Sequence, residues 1–437
     1  MKNKKLLVLS VLVYSVLFCY LYVNVELDLF SYLNRPTFTG KNITYRLCIA
    51  MVLVLSFVLS LPKDEFEELC QLYLLCCLFI PHCCLFILCG ENVLLYFGTL
   101  KVILGALVFQ YTLNNNFSRV ITNKERIHLV LNRKYFIIIS IICICVILPF
   151  FKLNLNYFNL ELNSEARIIN RQIFGGKFMG YFLMISSSVF GPALFFSGFR
   201  KKSFFEFTLG FLILFLNFCI TGVKSSIYLM FLMILISIPI HLKFKKPDRF
   251  GVIILFLFAG ICSLVEYSYS ENDFFISLFS RLTVLPSVSS YHYNVLLNEE
   301  GYYMLKDWNI IGELITGSTT LQKGYKAGIM FYGSNVTNYN SNLFANLNLD
   351  GGIIFIVLCS FLFGVLMKFL FWCRSCDKIN GRLLDGAILS IFIWISERSF
   401  NSALISGGVL IFVIYLFIQL KRIPQYANMS HQYNTSS

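Results

Sequence analysis

The sequence predicts an all-α polytopic membrane protein with about twelve transmembrane helices. The chain has 437 residues, of which 14% are charged, whereas soluble domains have about 25% charged residues. Its mean hydropathy is +0.72. Runs of about 20 apolar residues recur from end to end, and each is long enough to cross the roughly 30 Å of a bilayer's hydrocarbon core. The third observation is an uneven distribution of basic residues among the loops.

The apolar runs define the predicted spans. The first run begins at Leu6, is too long for a signal peptide and lacks a small-residue cleavage site. We therefore expect it to remain as a membrane anchor. In chain order the predicted spans are 6–23, 43–61, 70–89, 93–112, 135–151, 178–197, 204–221, 225–241, 251–266, 351–372, 383–397 and 403–420.

The basic residues predict the orientation. With the N-terminus inside, the cytoplasmic segments hold 21 of the 36 basic residues and the outer segments hold 12, although the outer segments are together longer. This asymmetry follows the positive-inside rule and predicts that both ends lie in the cytoplasm. The acidic inner loop 62–69 is the exception. The net charge of +13 therefore reflects topology, and we expect no nucleic-acid partner.

The 15 cysteines agree with this map, because none lies in a predicted outer segment. A disulfide framework would place them outside, so we interpret them as small buried apolar residues. Cys373 and Cys376 form a CxxC pair with no second pair and no nearby histidine, which argues against a zinc site.

The spans divide the chain into four predicted regions. Residues 1–266 form a nine-helix membrane region that includes an outer segment at 152–177. Residues 267–350 form one large outer loop, which holds nine of the 24 tyrosines and ten asparagines. Residues 351–420 form a three-helix membrane region, and 421–437 form a cytoplasmic tail. A polar insert of this size is unusual for a plain transporter and suits an enzyme that builds a polar site against the membrane face.

Each outer segment contains candidate functional residues. In 152–177, Arg167 and Arg171 are four residues apart, so they share one face of a predicted helix. In 267–350, the apolar stripe from Phe274 to Leu285 predicts a helix lying in the membrane interface. Arg281 lies at the edge of that stripe, at the depth of lipid headgroups.

Three motifs resemble those of the bacterial oligosaccharide repeat-unit polymerases, the Wzy type that makes O-antigen or capsule. The first is Thr221-Gly222-Val223-Lys224-Ser225, with lysine where arginine is commoner. The second is Arg281 followed by Pro286 and Tyr291-His292-Tyr293. The third is the asparagine-rich stretch from Asn340 that reaches Asp350-Gly351-Gly352.

This resemblance implies a fold like the GT-C-like membrane glycosyltransferases, in the bacterial cytoplasmic membrane, with the active site facing the periplasm or outside. It implies transfer of a growing glycan from undecaprenyl diphosphate onto a lipid-linked repeat unit, with a separate chain-length regulator as partner. It implies no cofactor. The chain also contains no Asp-x-Asp motif, so we expect a metal-independent enzyme whose cationic side chains stabilise the leaving diphosphate.

The roles that we expect follow from that chemistry. Arginine matches phosphate oxygens with two donors, and a base must accept the proton of the acceptor hydroxyl. Arg281 and His292 are the predicted catalytic residues, with Asp307 and Glu313 as alternative bases. The predicted substrate-binding residues are Arg167, Arg171, Lys224, Arg398, Tyr291 and Tyr293.

Each assignment has a structural alternative. Arg167 and Arg171 could face lipid headgroups or pair with Glu165, and Arg281 could merely anchor its helix. Lys224 could extend to the interface, His292 could hydrogen-bond within the loop, and Glu397-Arg398 could be a structural ion pair. We expect Lys101 to pack against a polar helix face. The tyrosines could belong to an interfacial aromatic belt.

Other functions also remain open. An O-antigen ligase is poorly distinguished from a polymerase by sequence. A lipid-linked oligosaccharide flippase would show two similar halves and short loops. A membrane acyltransferase would need a histidine buried in a span, for which His82 is the candidate, beside Pro81 and Cys83 and with no asparagine partner in the sequence nearby.

The predicted topology can be tested by cysteine labelling. Cysteines introduced at Ser164 and Ser334 should react with an impermeant thiol reagent in intact cells stripped of their outer barrier. Labelling that occurs only after lysis would contradict the map.

Overall fold

A computed structural model shows that the chain is built from helices, with one short two-stranded ladder in the part described. The structure describes residues 2–29, 36–37, 42–90, 92–115, 127–129, 133–150, 178–221, 225–241, 247–269, 274–304, 306, 323–333, 339, 341–376, 381–399, 404 and 408–422.

The chain folds into two compact units. The first comprises Met1–Tyr111, Phe231–Gly364 and Ile391–Ala403. The second comprises Thr112–Met230, Val365–Ser390 and Leu404–Ser437.

The first eleven helices run from the N-terminus to Tyr269. Several of these helices are interrupted by π-helical turns. The turn Tyr22–Glu26 extends α1 into the short helix Leu27–Leu29, and the turn Leu75–Phe79 joins α3 to α4. A third π turn, Ser186–Phe190, joins α7 to α8. The helices are α1 Lys2–Leu21, α2 Ile43–Leu59, α3 Glu65–Leu74, α4 Ile80–Cys89, α5 Val93–Asn114, α6 Arg133–Phe150, α7 Phe178–Ile185, α8 Gly191–Lys201, α9 Phe204–Thr221, α10 Ser225–His241 and α11 Pro247–Tyr269.

The remaining elements run to Arg422. A π turn at Ser280–Val284 joins α12 to α13, and a 3₁₀ turn at Gly381–Leu383 precedes α16. Strand β1, Ile127–Leu129, pairs antiparallel with β2, Leu420–Arg422. The helices are α12 Phe274–Phe279, α13 Leu285–Glu300, α14 Lys323–Tyr332, α15 Leu343–Cys376, α16 Leu384–Ile395 and α17 Val409–Gln419.

A helix overlaps each of the twelve predicted spans. In the described residues, six helices are long and apolar enough to cross a membrane: Leu6–Glu26, Glu65–Cys89, Leu94–Asn114, Phe182–Lys201, Gly251–Tyr269 and Leu343–Cys376. Five further apolar helices are shorter, at 10–17 residues. A helical membrane protein is thus supported, and the count of twelve crossings stays a prediction.

Three of the π turns share a cause. Pro81, Pro192 and Pro286 each occupy the first turn of the helix that follows a π turn. Proline has no N–H, and its ring clashes with the carbonyl four residues earlier. In each case that carbonyl lies inside the π turn, where one extra residue widens the helix. The prolines therefore widen these helices without ending them.

The segment from Phe274 to Leu285 differs from its sequence-based interpretation. We predicted a helix on the membrane interface, but Leu278, Phe279 and Leu282 of its apolar stripe are buried inside the first unit. Phe274 is exposed, as a surface helix requires, and Arg281 is partly buried. The interpretation failed because Ser280 and Thr283, on the other side of this helix, are buried as well.

Helix α15 breaks at Gly351-Gly352, where the predicted tenth span begins. Gly352 has φ +67°, a conformation that favours glycine. A Cβ atom at Gly352 would lie 2.9 Å from the hydroxyl of Tyr302. The backbone N–H groups of Tyr303 and Met304 donate to the carbonyls of Leu349 and Asp350 at 3.0 and 2.9 Å. These bonds satisfy carbonyls at the end of the first half of α15.

In the second unit, α8 and α9 form a tight helical hairpin. A Cβ atom at Gly198 would lie 2.2 Å from the backbone nitrogen of Phe207, and one at Gly210 would lie 2.3 Å from that of Phe195. Side chains at either glycine would separate the two backbones.

Side chains from the predicted cytoplasmic segments also meet in the second unit. The buried carboxylate of Asp385 accepts hydrogen bonds from Arg200 at 3.2 Å and Arg374 at 2.5 Å. Arg133 pairs with the buried Glu206. The convergence of Arg200 and Arg374 agrees with their assignment to one side of the membrane.

We predict that Gly210→Ala destabilises the protein by about 1–3 kcal/mol, because overpacking a close helix contact forces the backbones apart. Thermal unfolding in detergent, followed with a thiol-reactive dye that reports exposure of the buried cysteines, should show a lower melting temperature. Leu212→Ala, at a partly exposed position of the same helix, is the control and should have a smaller effect. Equal melting temperatures for Gly210→Ala and the unchanged protein would contradict the packing argument.

Candidate functional site

Three charged side chains from distant parts of the sequence come together in the first unit. Glu397 and Arg398 follow α16, and their backbone N–H groups both donate to the carbonyl of Trp394, at 3.0 and 2.9 Å. Glu397 lies within electrostatic range of Arg281, in the π turn before α13, and of Arg398. We call Arg281, Glu397 and Arg398 the charged cluster.

The guanidinium group of Arg398 packs on an aromatic ring, and one of its buried nitrogen atoms has no hydrogen-bond partner among the described residues. Its guanidinium carbon lies 3.9 Å from the centre of the Trp394 ring, a cation–π contact. Its Nη1 atom is buried and has no hydrogen-bond partner among the described residues. A buried donor left unpaired costs about 1–3 kcal/mol. An anion placed at this atom would remove that cost.

Helix α3 and the π turn after it lie beneath the charged cluster. Tyr73 and Cys77 are fully buried and lie close to Ser396 and Glu397. The cluster contains two guanidinium groups and one carboxylate. Low polarisability on the buried side strengthens the attraction of an anion to a guanidinium group there.

A second group of polar side chains surrounds His82 on α4. The Nδ1 atom of His82 lies 2.7 Å from the carbonyl of Leu78, which can only accept, so Nδ1 carries the proton. Neutral His82 then accepts at Nε2 from the hydroxyl of Ser290, 2.8 Å away. The amide nitrogen of Asn342 donates to the same hydroxyl oxygen at 2.7 Å.

The structure thus brings an asparagine to the group, although Asn342 reaches His82 only through the Ser290 hydroxyl. A serine bonded to a histidine is also the geometry of an activated nucleophile. His82, Ser290 and Asn342 are each at most 2% exposed. Asn342 in addition accepts from the backbone N–H of Ala345 at 2.9 Å and so caps α15. We assign this group to the joining of α4, α13 and α15.

His292, the predicted base, is also fully buried. Its Nδ1 atom lies 3.0 Å from the hydroxyl of Tyr339, and its ring stacks on Phe331 with centroids 4.0 Å apart. Arg281 and His292 lie on one helical segment, eleven residues and about 16 Å apart along the axis. The structure therefore does not bring the two predicted catalytic residues into one site.

The flanking tyrosines also differ from each other. The hydroxyl of Tyr293 donates to the carbonyl of Tyr339 at 2.9 Å, and the side chain is buried. Tyr291 is partly exposed, and its hydroxyl lies 3.5 Å from the amide nitrogen of Asn92. Of these two tyrosines, Tyr291 is the one with a surface on which a sugar could stack.

Several predicted residues lie outside the described part of the chain, namely Arg167, Arg171, Lys224, Asp307 and Glu313. The described residues contain no group of three or more His, Cys, Asp or Glu side chains that could hold a metal ion.

The sequence-based interpretation missed a buried ion pair. The Nζ atom of Lys323 lies 2.7 Å from the Oδ1 atom of Asp350, and the two side chains are 5% and 2% exposed. Nearby, Lys326 pairs with Glu300 at 2.5 Å. These pairs join α14 to α15 and α13, so part of the predicted outer loop is packed and ordered by charge.

No known protein family, curated protein or solved structure matches this chain.

We predict that Asp350→Ala destabilises the protein by about 3–5 kcal/mol, because it leaves the buried ammonium of Lys323 without its carboxylate. Detergent-solubilised protein should lose most of its monodisperse fraction on size-exclusion chromatography. The double variant Lys323→Met with Asp350→Leu removes both charges and should recover that fraction. Failure of the double variant to recover would show that the pair does more than compensate charge.

Proposed function

We propose that this protein is a membrane glycosyltransferase that polymerises undecaprenyl-diphosphate-linked repeat units into O-antigen or capsular polysaccharide. The observation that carries the proposal is the charged cluster, which combines the first predicted catalytic residue, Arg281, with the predicted substrate ligand Arg398. A helix anchor needs neither the proximity of Arg281 to Glu397 nor the buried Nη1 atom of Arg398 that has no hydrogen-bond partner among the described residues. The three sequence motifs support the same assignment.

In this proposal the charged cluster binds the diphosphate that leaves when the glycan is transferred. Negative charge on the diphosphate grows as the glycosidic bond breaks, and fixed cations stabilise that growth. A guanidinium offers paired donors that match two phosphate oxygens. Glu397 lies close to both arginines and would hold their guanidinium groups together despite their like charge.

The second requirement of the reaction is a base for the acceptor hydroxyl. A base must reach the acceptor hydroxyl, either directly or through one water molecule. His292 retains that proposed role only if Phe331 and Tyr339 move away, since both contact its ring. Because the chain has no Asp-x-Asp motif, we propose that arginine supplies the positive charge and that no divalent ion is required.

Surface glycan from a deletion strain tests the proposal against its nearest rivals. Loss of a polymerase leaves a single repeat unit on the acceptor, which runs as one band on a gel. Loss of a ligase or of a lipid-linked oligosaccharide flippase leaves no repeat unit there. A strain without any attached unit would therefore overturn the polymerase assignment.

We predict that Arg281→Ala abolishes the glycan ladder and that Arg281→Lys retains part of it, because an ammonium keeps the charge but not the paired donors. The ladder is measured in the deletion strain complemented with each variant, at matched protein levels in the membrane. Lys306→Ala removes a partly buried cation from the same predicted outer loop and should leave the ladder intact. A full ladder from Arg281→Ala at normal protein level would rule out the diphosphate role.

A further inference from the structure

A cleft of about 390 Å³ opens in the first unit between α5 and the carboxyl end of α13. It is amphipathic. Leu94, Phe97 and Leu297 supply apolar lining, and Phe97 is 54% exposed. The polar lining comes from Lys101, Asn298 and Tyr302. None of these residues belongs to the charged cluster.

Lys101 is the unusual member of this lining. It lies in a predicted membrane span, about 12 Å along the helix axis from Val93. Among the residues that the structure describes, it forms no ion pair, in contrast to Lys323 and Lys326. Placing an ionisable side chain within the membrane costs free energy, so such residues form ion pairs or face an aqueous cavity. Here the cleft is that cavity.

The packing of α5 keeps Lys101 from turning away from the cleft. Lys101 lies between Gly98 and Gly105 on one helix face. A Cβ atom at Gly98 would lie 3.2 Å from Asn294, and one at Gly105 would lie 2.6 Å from Phe344. That face is therefore the one packed against α13 and α15. The packing fixes the side of α5 from which Lys101 projects.

The far wall of the cleft is also fixed. Gly301 donates its backbone N–H to the carbonyl of Leu297 at 2.9 Å, and the Tyr302 hydroxyl lies against Gly352 at the break of α15. The amide of Asn294 is occupied, since it donates to the Leu94 carbonyl at 2.6 Å and accepts from Asn348 at 3.1 Å. Asn298 is exposed at the rim and has no such bonds among the described residues.

We propose that this cleft binds the phosphate-bearing headgroup of an anionic membrane phospholipid. Helical side chains lean toward the helix N-terminus, so Lys101 extends back toward the end of the span to face the phosphate. Asn298 and Tyr302 offer hydrogen bonds to its polar substituents, and Phe97 contacts the upper part of the lipid chain. The exposed ring of Phe97 favours a lipid over free phosphate, because a soluble anion gains nothing from it. This inference does not depend on the proposed polymerase activity.

Native mass spectrometry of the full-length protein tests it. The detergent-purified protein is titrated with phosphatidylglycerol, with phosphatidylcholine of the same chains, and with inorganic phosphate. Lys101→Gln should reduce retention of phosphatidylglycerol about two- to fivefold, the loss expected for one partly exposed charge pair. Lys101→Arg should retain it. Lys368→Gln is the matched control, because Lys368 also lies on a membrane helix but donates to the Leu113 carbonyl at 2.5 Å.

A second variant separates the two sources of phosphate. Phe97→Ala keeps the charge and should weaken phosphatidylglycerol without changing inorganic phosphate. Equal retention of phosphatidylglycerol by Lys101→Gln and the unchanged protein would overturn the site. The site would also be overturned if Lys101→Gln reduced the retention of phosphatidylcholine as much as that of phosphatidylglycerol. Displacement of lipid by inorganic phosphate at equal concentration would overturn the lipid as ligand. Melting temperatures recorded alongside show that each variant is folded.

Discussion

The first unit depends on the requirement that a polar group carried into a helical interior must find a hydrogen-bond partner there. Helix α13 brings a run of serines into that interior. Ser289 meets Ser341 at 2.7 Å, and Ser290 meets both His82 and Asn342. Because these bonds have direction, they fix the rotation and depth of α13 more closely than apolar contacts could. The charged cluster then inherits its position, since Arg281 lies on the same continuous helical segment.

Proline contributes to the same constraint. The carbonyl of Pro286 accepts from the Asn342 amide at 2.7 Å and so joins α13 to the start of α15. The π turn before Pro286 adds one residue to the helix and so changes the direction in which Arg281 projects. A regular helix with the same sequence would present Arg281 on another face. The proline and the cluster are therefore linked through backbone geometry.

The sequence predicted those features that depend on composition over a long window. Apolar helices fall at the predicted spans because length and hydropathy suffice to define them, and the break at Gly351-Gly352 follows from local glycine conformation. The burial of α13 was not predictable in this way, since its serines and His292 suggest an exposed segment. They are buried because partners such as Asn342 and Tyr339, far along the chain, satisfy them. Pattern analysis within one segment contains no information about such partners.

The same distinction explains the candidate sites. Arg281 and Arg398 were each recognisable as cations in outer segments, but their common proximity to Glu397 joins positions far apart in the chain. Lys101 was recognisable as a residue that costs free energy within the membrane, and we expected it to pack against a polar helix face. The structure places it at an amphipathic cleft beside Asn294 and Asn298 of α13, where water can solvate the ammonium or an anionic ligand can serve as its countercharge.

The charge balance of the first unit connects these observations. Lys323 and Lys326 are each matched by one carboxylate, which neutralises them and makes them structural. In the charged cluster Glu397 lies within electrostatic range of two arginines, and no ion pair among the described residues joins it to either. A carboxylate near two guanidinium groups lowers the cost of bringing like charges together. The buried Nη1 atom of Arg398, which has no hydrogen-bond partner among the described residues, can still receive an anion.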